Sequence, residues 1–364
     1  MYFFYIEMSH FNIGDVKVKF LEKDHKYFLN KSTIIYGASG TGKSTIILEI
    51  LHILKDHVPI IFVFSPTADD NNAFAGIVPD ALIYRTVDIK KLEEIYKRQQ
   101  GATRIYNTVN EIKSLRVLFE KVGNIKSIRC AKDAYRNATN LIEEAQNSTS
   151  LNFSEKKKNI KKIKNMRDRF LLMLYKAVIR KNKNRLKNMG ITPAEHYILQ
   201  YLDFNPNCII IMDDCGAVLK KFQKETVIQK IFFLGRHSFI NLILSLQDDL
   251  RLDSAIKKNA FVNIFTTSQI ASAYFSRSGT SFTKKEKQLA EKIIGCIFSS
   301  NADDYKKLVY VRNESQPFRY TIADVYEEFK FGCPKLWELD ENMSEKKKCN
   351  WDDPILSPFK INLG

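Results

Sequence analysis

The sequence predicts an α/β fold: a central, mostly parallel sheet, with a β-hairpin ahead of it and a helical, basic insertion within it. Three observations predict this. Residues 33 to 49 read as a short buried strand (Ile34, Ile35, Tyr36), a glycine loop and the start of a helix whose apolar face is Ile46, Ile47, Ile50 and Leu51. Pro59 to Phe64 and Cys208 to Met212 are unbroken apolar runs, and Ile240 to Leu246 is apolar apart from Asn241 and Ser245, the pattern of strands covered on both faces. From about Gln100 to Tyr201 the chain turns rich in Lys, Asn and Arg and takes on helical periodicity. At 364 residues it can bury a sizeable core, as one large domain with an insertion or as two domains. The expected division is 1–99 (hairpin and first half of the core), 100–203 (basic helical insertion), 204–325 (second half of the core) and 326–364 (C-terminal tail).

Taken in order, residues 9 to 36 alternate apolar and polar around Gly14 and Asp24. This predicts a hairpin with Val16, Val18 and Phe20 facing inward on one strand and Tyr27 and Leu29 on the next. A helix is expected from Lys43 to Asp56, then the strand ending at Ser65-Pro66-Thr67. Ala68 to Asn72 should be a surface loop at the carboxyl edge of the sheet, the edge that faces ligands in open α/β folds. Ala81 to Thr86 offers a further strand, and Asp88 caps a helix carrying Leu92, Ile95 and Tyr96. In the insertion, Ile160, Ile163, Met166, Phe170, Met173, Leu174 and Val178 recur at spacings of three and four, predicting an antiparallel helix pair with its basic face outward. A helix follows from Ala217 to Leu234, then a strand over Ile240–Leu246, another over Phe261–Thr266, and a closing helix over Lys284–Phe298. Lys307–Arg312 and Phe318–Ile322 read as a late hairpin. The tail from Gly332, with Trp337, Trp351 and the run Lys346 to Lys348, carries no readable pattern.

The formal charge is +16, which points to a polyanionic partner such as nucleic acid or a membrane surface. Placement matters: residues 151 to 190 hold 14 Lys or Arg against Glu155 and Asp168. A solvated lysine-rich helix face and a DNA-contacting one both fit that segment. The six cysteines (Cys130, Cys208, Cys215, Cys296, Cys333, Cys349) form no CxxC pair and read as free thiols in a reducing compartment. The N-terminal Met-Tyr-Phe-Phe-Tyr-Ile-Glu-Met lacks the basic start of a signal peptide. No apolar stretch approaches a membrane span, so a soluble intracellular protein is expected.

The chemistry concentrates in the loop Gly37-x4-Gly42-Lys43-Ser44. Glycines let backbone N–H groups converge on phosphate oxygens, and the helix behind adds its positive end. Gly37, Ala38, Ser39, Gly40, Thr41, Gly42, Lys43, Ser44 and Thr45 would form the cradle, Lys43 reaching the β and γ phosphates and Ser44 holding Mg²⁺. The run Cys208-Ile-Ile-Ile-Met-Asp213-Asp214-Cys215 delivers two carboxylates to a strand end. Asp213 suits the metal shell and Asp214 the attacking water. Gln247 ends the next apolar strand, where it could meet the γ-phosphate or that water. Arg236 precedes the same strand at its other end, badly placed for its own nucleotide but able to reach a neighbour's, the geometry of a cation supplied in trans. A surface Arg paired with an acid is the plainer alternative. Arg251, Lys257, Lys258 and Arg277 are secondary candidates for DNA or subunit contacts.

In this order, the glycine loop, a strand ending in Ser65-Pro66-Thr67, Asp213-Asp214-Cys215, Gly235-Arg236-His237 and a strand ending in Gln247 resemble the FtsK/HerA superfamily of DNA-pumping ATPases. More narrowly, they resemble the poxvirus-type genome-packaging ATPases of large DNA viruses. The resemblance covers roughly residues 30 to 70 and 205 to 270. It implies a RecA-like P-loop NTPase fold, ATP and Mg²⁺ as ligands, a homo-oligomeric ring (a hexamer), and the threading of double-stranded DNA into a preformed capsid, with capsid proteins as further partners. It places Arg236 on the superfamily's arginine-finger position and Gln247 on its sensor, and it implies a host-cell cytoplasmic setting, and the virion, for a viral member. Two departures stand out: Asp214 where cellular members usually carry Glu, and Asp248-Asp249 in place of Arg-Pro after Gln247. Other readings stay open: a cellular-type DNA pump, a monomeric P-loop switch protein or small-molecule kinase, or an ATP-binding clamp. No [NT]KxD guanine motif supports the switch.

Overall fold

The computed structural model describes residues 10–13, 16–247, 252–277, 282–299, 305–326 and 328–347. The chain forms two compact units, residues 1–99 with 207–364 and residues 100–206.

The first unit is built on a ten-stranded sheet. A hairpin of β1 (His10–Ile13) and β2 (Val16–Phe20) precedes β3 (Ser32–Tyr36), which leads into helix α1 (Lys43–Leu54). Then come β4 (Ile60–Phe64), the single turn α2 (Ala68–Asn71), β5 (Ile83–Tyr84) and the start of helix α3 (Ile89–Val109). The division between the units falls within α3. The chain re-enters the sheet as β6 (Cys208–Asp213). The order of strands in the sheet places β5, β4, β6, then β7 (Ile240–Leu246), β3 and β8 (Val262–Phe265) side by side, all parallel. Beyond β8 the direction reverses: β9 (Lys306–Val311) is antiparallel to β8, β10 (Phe318–Ile322) is antiparallel to β9, and β2 joins β10.

Side chains alternate between the faces of these strands, and both faces are dry. On one face Ile35, Ile61, Val63, Ile209, Ile211 and Ile243 pack with Ile46, Ile47, Ile50, Leu51 and Leu54 of α1. At roughly 1.5–3 kcal/mol per buried aliphatic side chain, this contact pins α1, and with it the glycine loop, to the sheet. On the other face Ile34, Phe62, Ile210, Leu242 and Leu244 meet Leu92, Ile95 and Tyr96 of α3 and the later helices. Those are α9 (Gly216–Phe222), α10 (Thr226–Leu234), α11 (Ser254–Asn259), α12 (Ser268–Ser276) and α13 (Lys284–Phe298). The buried carboxylate of Glu49 on α1 is matched by Lys23 at 2.7 Å and by the Asp324 backbone N–H at 3.0 Å.

Several local expectations are corrected. Tyr27 and Leu29 lie on no strand: Asp24 accepts a hydrogen bond from the Lys26 backbone N–H and turns His25–Tyr27 into a 3₁₀ helix, so the hairpin partner of β2 is β1. Ala68–Asn71 closes into a helical turn. The helix expected over 217–234 is two, α9 and α10, broken around Gln223 to Glu225, where Glu225 takes extended backbone at the start of α10. The tail is partly readable after all as α14 (Pro334–Lys347), tethered where the Trp337 indole donates to the Phe331 carbonyl at 3.0 Å.

The second unit is helical. After α3 it comprises α4 (Ile112–Val122), α5 (Ile125–Asn147), α6 (Phe153–Lys181), α7 (Lys183–Lys187) and α8 (Pro193–Gln200). Helices α5 and α6 run antiparallel: Lys156 bonds the Gln146 carbonyl near the turn and Arg167 stacks on Tyr135 farther along. The core is Leu115, Leu118, Phe119 and Val122 of α4 against Leu171, Tyr175 and Ile179 of α6. The stripe expected on α6 is therefore rotated. Met166, Phe170 and Met173 are exposed beside Lys162 and Arg169, and the buried side chains sit four apart at 171, 175 and 179. Among the described residues no helix is long and apolar enough to cross a membrane.

Candidate functional site

The site forms at the carboxyl edge of the parallel strands, and the glycine loop is its floor. Gly40 and Gly42 adopt φ of +75° and +87°, backbone that other residues reach only with strain. At Gly37 the constraint is space: a Cβ would lie 2.0 Å from Thr266 Oγ1 and 2.5 Å from Thr41 Oγ1. Those two hydroxyls bond each other at 2.7 Å, tying the loop to the end of β8, while Gly37 N–H donates to the Leu246 carbonyl at the end of β7. The N-cap of α1 is Gly42, with no side chain capping the helix. The first-turn N–H groups are thus left for an external acceptor, the arrangement that binds phosphate.

Lys43 is buried, donating to the Ala38 carbonyl at 3.0 Å, and its ammonium lies 3.7 Å from Asp214 Oδ1. That oxygen is itself buried without a hydrogen-bond partner. Asp214 reaches this position by a left-handed turn, φ +51°, directly after β6. Non-glycine residues are sparsely found there, and such strain collects at functional sites. Cys215 braces the turn, its thiol donating to the Phe64 carbonyl at 3.2 Å and the Asp213 carbonyl at 3.3 Å. Asp213 is 1% exposed, and burial, with the neighbouring Asp214 carboxylate, raises its carboxyl above the ordinary value while Lys43 pulls it back. A cation at this point would remove the penalty. A hydroxyl from Ser44 and one buried carboxylate form a donor set that fits Mg²⁺, which keeps water and substrate oxygens in its remaining positions.

Lys43, Asp213 and Asp214 therefore meet at one edge, and Gln247 joins them: it is exposed and follows Leu246, the residue bonded to Gly37. Arg236 does not. It lies exposed in the 3₁₀ turn Gly235–Ser238 at the other end of β7. That strand has seven residues, which at about 3.3 Å each separates its ends by roughly 20 Å. There Arg236 lines a cavity of about 280 Å³ with Lys31, Lys258 and Arg312. Arg251 and the pair Asp248-Asp249 lie outside the described residues. Sequence reasoning missed Thr266 and Ser65 at this edge, although both end apolar strands there.

A parallel sheet with β3 at its centre, a glycine loop running into a helix, and two acids delivered by a non-neighbouring strand define a P-loop NTPase of RecA-like fold. The chain belongs to the family of the B354L protein of African swine fever virus. With that protein from isolate Pig/Kenya/KEN-50/1950, itself uncharacterized, it shares 30% identity over 362 residues, 93% of this chain and 95% of the relative. A shorter match, 33% over 69 residues, joins 19% of this chain to 27% of the uncharacterized protein 075L of Invertebrate iridescent virus 6. The viral origin of these relatives accords with the branch the motifs resemble. No family model matches the chain. Among solved structures, the genome packaging NTPase B204 of Sulfolobus turreted icosahedral virus 2, in complex with ATP-gammaS, superposes with TM-score 0.34 and 12% identity over 82% of this chain and 98% of that one. The conjugation coupling protein TcpA of pCW3 gives TM-score 0.35 and 13% identity over 85% and 64%. At that level the fold assignment rests on the strand order itself.

Proposed function

We propose that this protein is an ATPase that drives double-stranded DNA, packaging a viral genome into a capsid as a ring of identical subunits, a hexamer. The observation that carries the reading is the split of the machinery along β7: Lys43, Asp214 and Gln247 share one edge, and Arg236 sits at the other. A single chain on this reading binds and orients the triphosphate but lacks the cation that offsets charge on the transferred phosphoryl, and an adjoining copy supplies it. The cradle of residues 37 to 45 takes the phosphates and Lys43 their β and γ oxygens. Ser44 and Asp213 would hold Mg²⁺, which supplies charge neutralisation there. Asp214, fixed by its strained backbone, orients the attacking water, and Gln247 contacts the γ-phosphate. The exposed cations of α6 (Lys157, Lys158, Lys161 and Lys162) suit phosphate contacts, which hold DNA without reading its sequence.

ATP hydrolysis measured with and without duplex DNA, alongside the mass of the assembly, tests the proposal. Hydrolysis stimulated by duplex and confined to a multimer is expected. Full turnover by a monomer, indifferent to DNA, would reject it.

A further inference from the structure

Strand β9 enters the sheet against the direction of its neighbours, so its first residues arrive at the edge where the parallel strands end. Val309 pairs with Ile264 and Leu308 with Phe265. Lys307 comes next along this register, level with Thr266, whose hydroxyl closes on Thr41 of the glycine loop. A Cβ built on Gly42 would lie 3.7 Å from Lys307 Cε and 3.9 Å from its Nζ, so the ammonium sits over the loop immediately ahead of α1. The residue is 6% exposed. Among the described residues its side chain makes no hydrogen bond or ion pair, and the ring of Tyr305 lies 5.9 Å from its Nζ.

This differs from the buried charges of the unit that have an ionic partner. Lys43 has Asp214, and Glu49 has Lys23. For Lys307, burial pushes the ammonium below its ordinary value, and among the described residues no carboxylate lifts it back. A largely buried lysine without a matching carboxylate is costly, and an anion bound beside it would offset that cost. The phosphate cradle, whose own N–H groups and lysine would meet such an anion, lies directly beside Lys307.

We infer that Lys307 is a second phosphate-contacting cation of the nucleotide site, supplied in cis from the start of β9, and that it engages the phosphate chain of a bound nucleoside triphosphate. The inference rests on the reading of residues 37 to 45 as a nucleotide cradle. It makes the β9–β10 hairpin part of the site, so nucleotide occupancy is felt two strands away from the loop.

The test uses the full chain and a fluorescent ATP analogue, with ADP as competitor. Wild type, Lys307→Met, Lys307→Arg and Lys43→Ala are compared for binding and for thermal unfolding with and without nucleotide. The expected result is triphosphate affinity lowered about 10- to 100-fold by Lys307→Met, as loss of a charged hydrogen bond predicts, and largely kept by Lys307→Arg. Unliganded Lys307→Met should unfold at the same or a higher temperature than wild type, since an unpaired charge has left the interior. Lys307→Met binding as wild type does while Lys43→Ala fails would overturn the role of Lys307 and leave the cradle standing. Equal weakening in Met and Arg variants, with earlier unfolding of both, would assign Lys307 to packing and also overturn it. If wild type itself binds no triphosphate, the cradle reading falls, and the inference with it.

Discussion

The two ends of the parallel strands are made of the same chain and behave differently. At the carboxyl edge, polar groups are buried and incompletely matched: Asp213 with its raised carboxyl, Asp214 with an unbonded oxygen on a strained backbone, and Lys307 with no ion pair among the described residues. At the amino edge, Arg236 lies exposed and the cavity beside it is lined by cations drawn from four segments. Unmatched groups inside a fold persist only where something else completes them. On the proposed function, the contrast means that a small anion and its metal would complete one edge and a second protein copy the other.

The largest effect should come from the exposed edge. Arg236→Ala should leave nucleotide affinity of the isolated chain unchanged and cut turnover of the assembled protein by about 10³-fold, the usual worth of such a cation. Mixing Arg236→Ala subunits with Asp214→Asn subunits should restore part of the rate, because each brings what the other lacks. No recovery in any mixture would collapse the distinction between the two edges. At the buried edge, Asp214→Asn should keep triphosphate binding and slow turnover by about 10²-fold, the lower range for a positioned base. Single-turnover hydrolysis with binding measured separately reads both halves.

Smaller effects bear on stability. Gly37→Ala should cost about 1–3 kcal/mol, because the added methyl meets the Thr266 and Thr41 hydroxyls and the loop must shift. Urea midpoints give this directly, and a neutral result would mean the loop is less tightly tied to β8 than the hydrogen bonds indicate. Asp213 sharpens the comparison least, through pH. Its carboxyl is raised above the ordinary 3.8, so its share of stability is full below that value and is lost as pH rises through the raised one. The stability gap between Asp213→Asn and wild type should therefore widen in favour of the variant from about pH 4 upward, in nucleotide-free and metal-free protein. A gap constant across that range would remove the burial penalty argued for this residue.

How far these features could be read from the chain alone depends on how local their cause is. The glycine loop, the two acids after Met212 and the apolar strands are contiguous patterns, and strand, loop and helix follow from them. Arg236 and Gln247 were separable because a strand has two ends. The stripe on α6 misled for a physical reason: from Phe170 to Ile179 apolar side chains surround the helix, so periodicity alone cannot say which side faces Phe119. The break near Gln223 and the 3₁₀ turn at His25 depend on single side-chain and backbone choices that propensities do not resolve. Lys307 was invisible because its meaning comes from the reversal at β9, a fact of tertiary pairing. In sequence it is one lysine of a Lys-Lys pair opening a hairpin.

The sheet's outermost parallel strand, β5, is only two residues long. Arg85 follows it, clamped to Asp69 at 2.9 Å and Asp80 at 2.7 Å. So short and charged a margin gives an incoming chain almost no main-chain groups to zip onto, and it blunts the amyloid-like growth that open sheets invite. Strand-to-strand growth of the sheet along that rim is therefore disfavoured, and any ring of copies would have to close through side-chain surfaces instead.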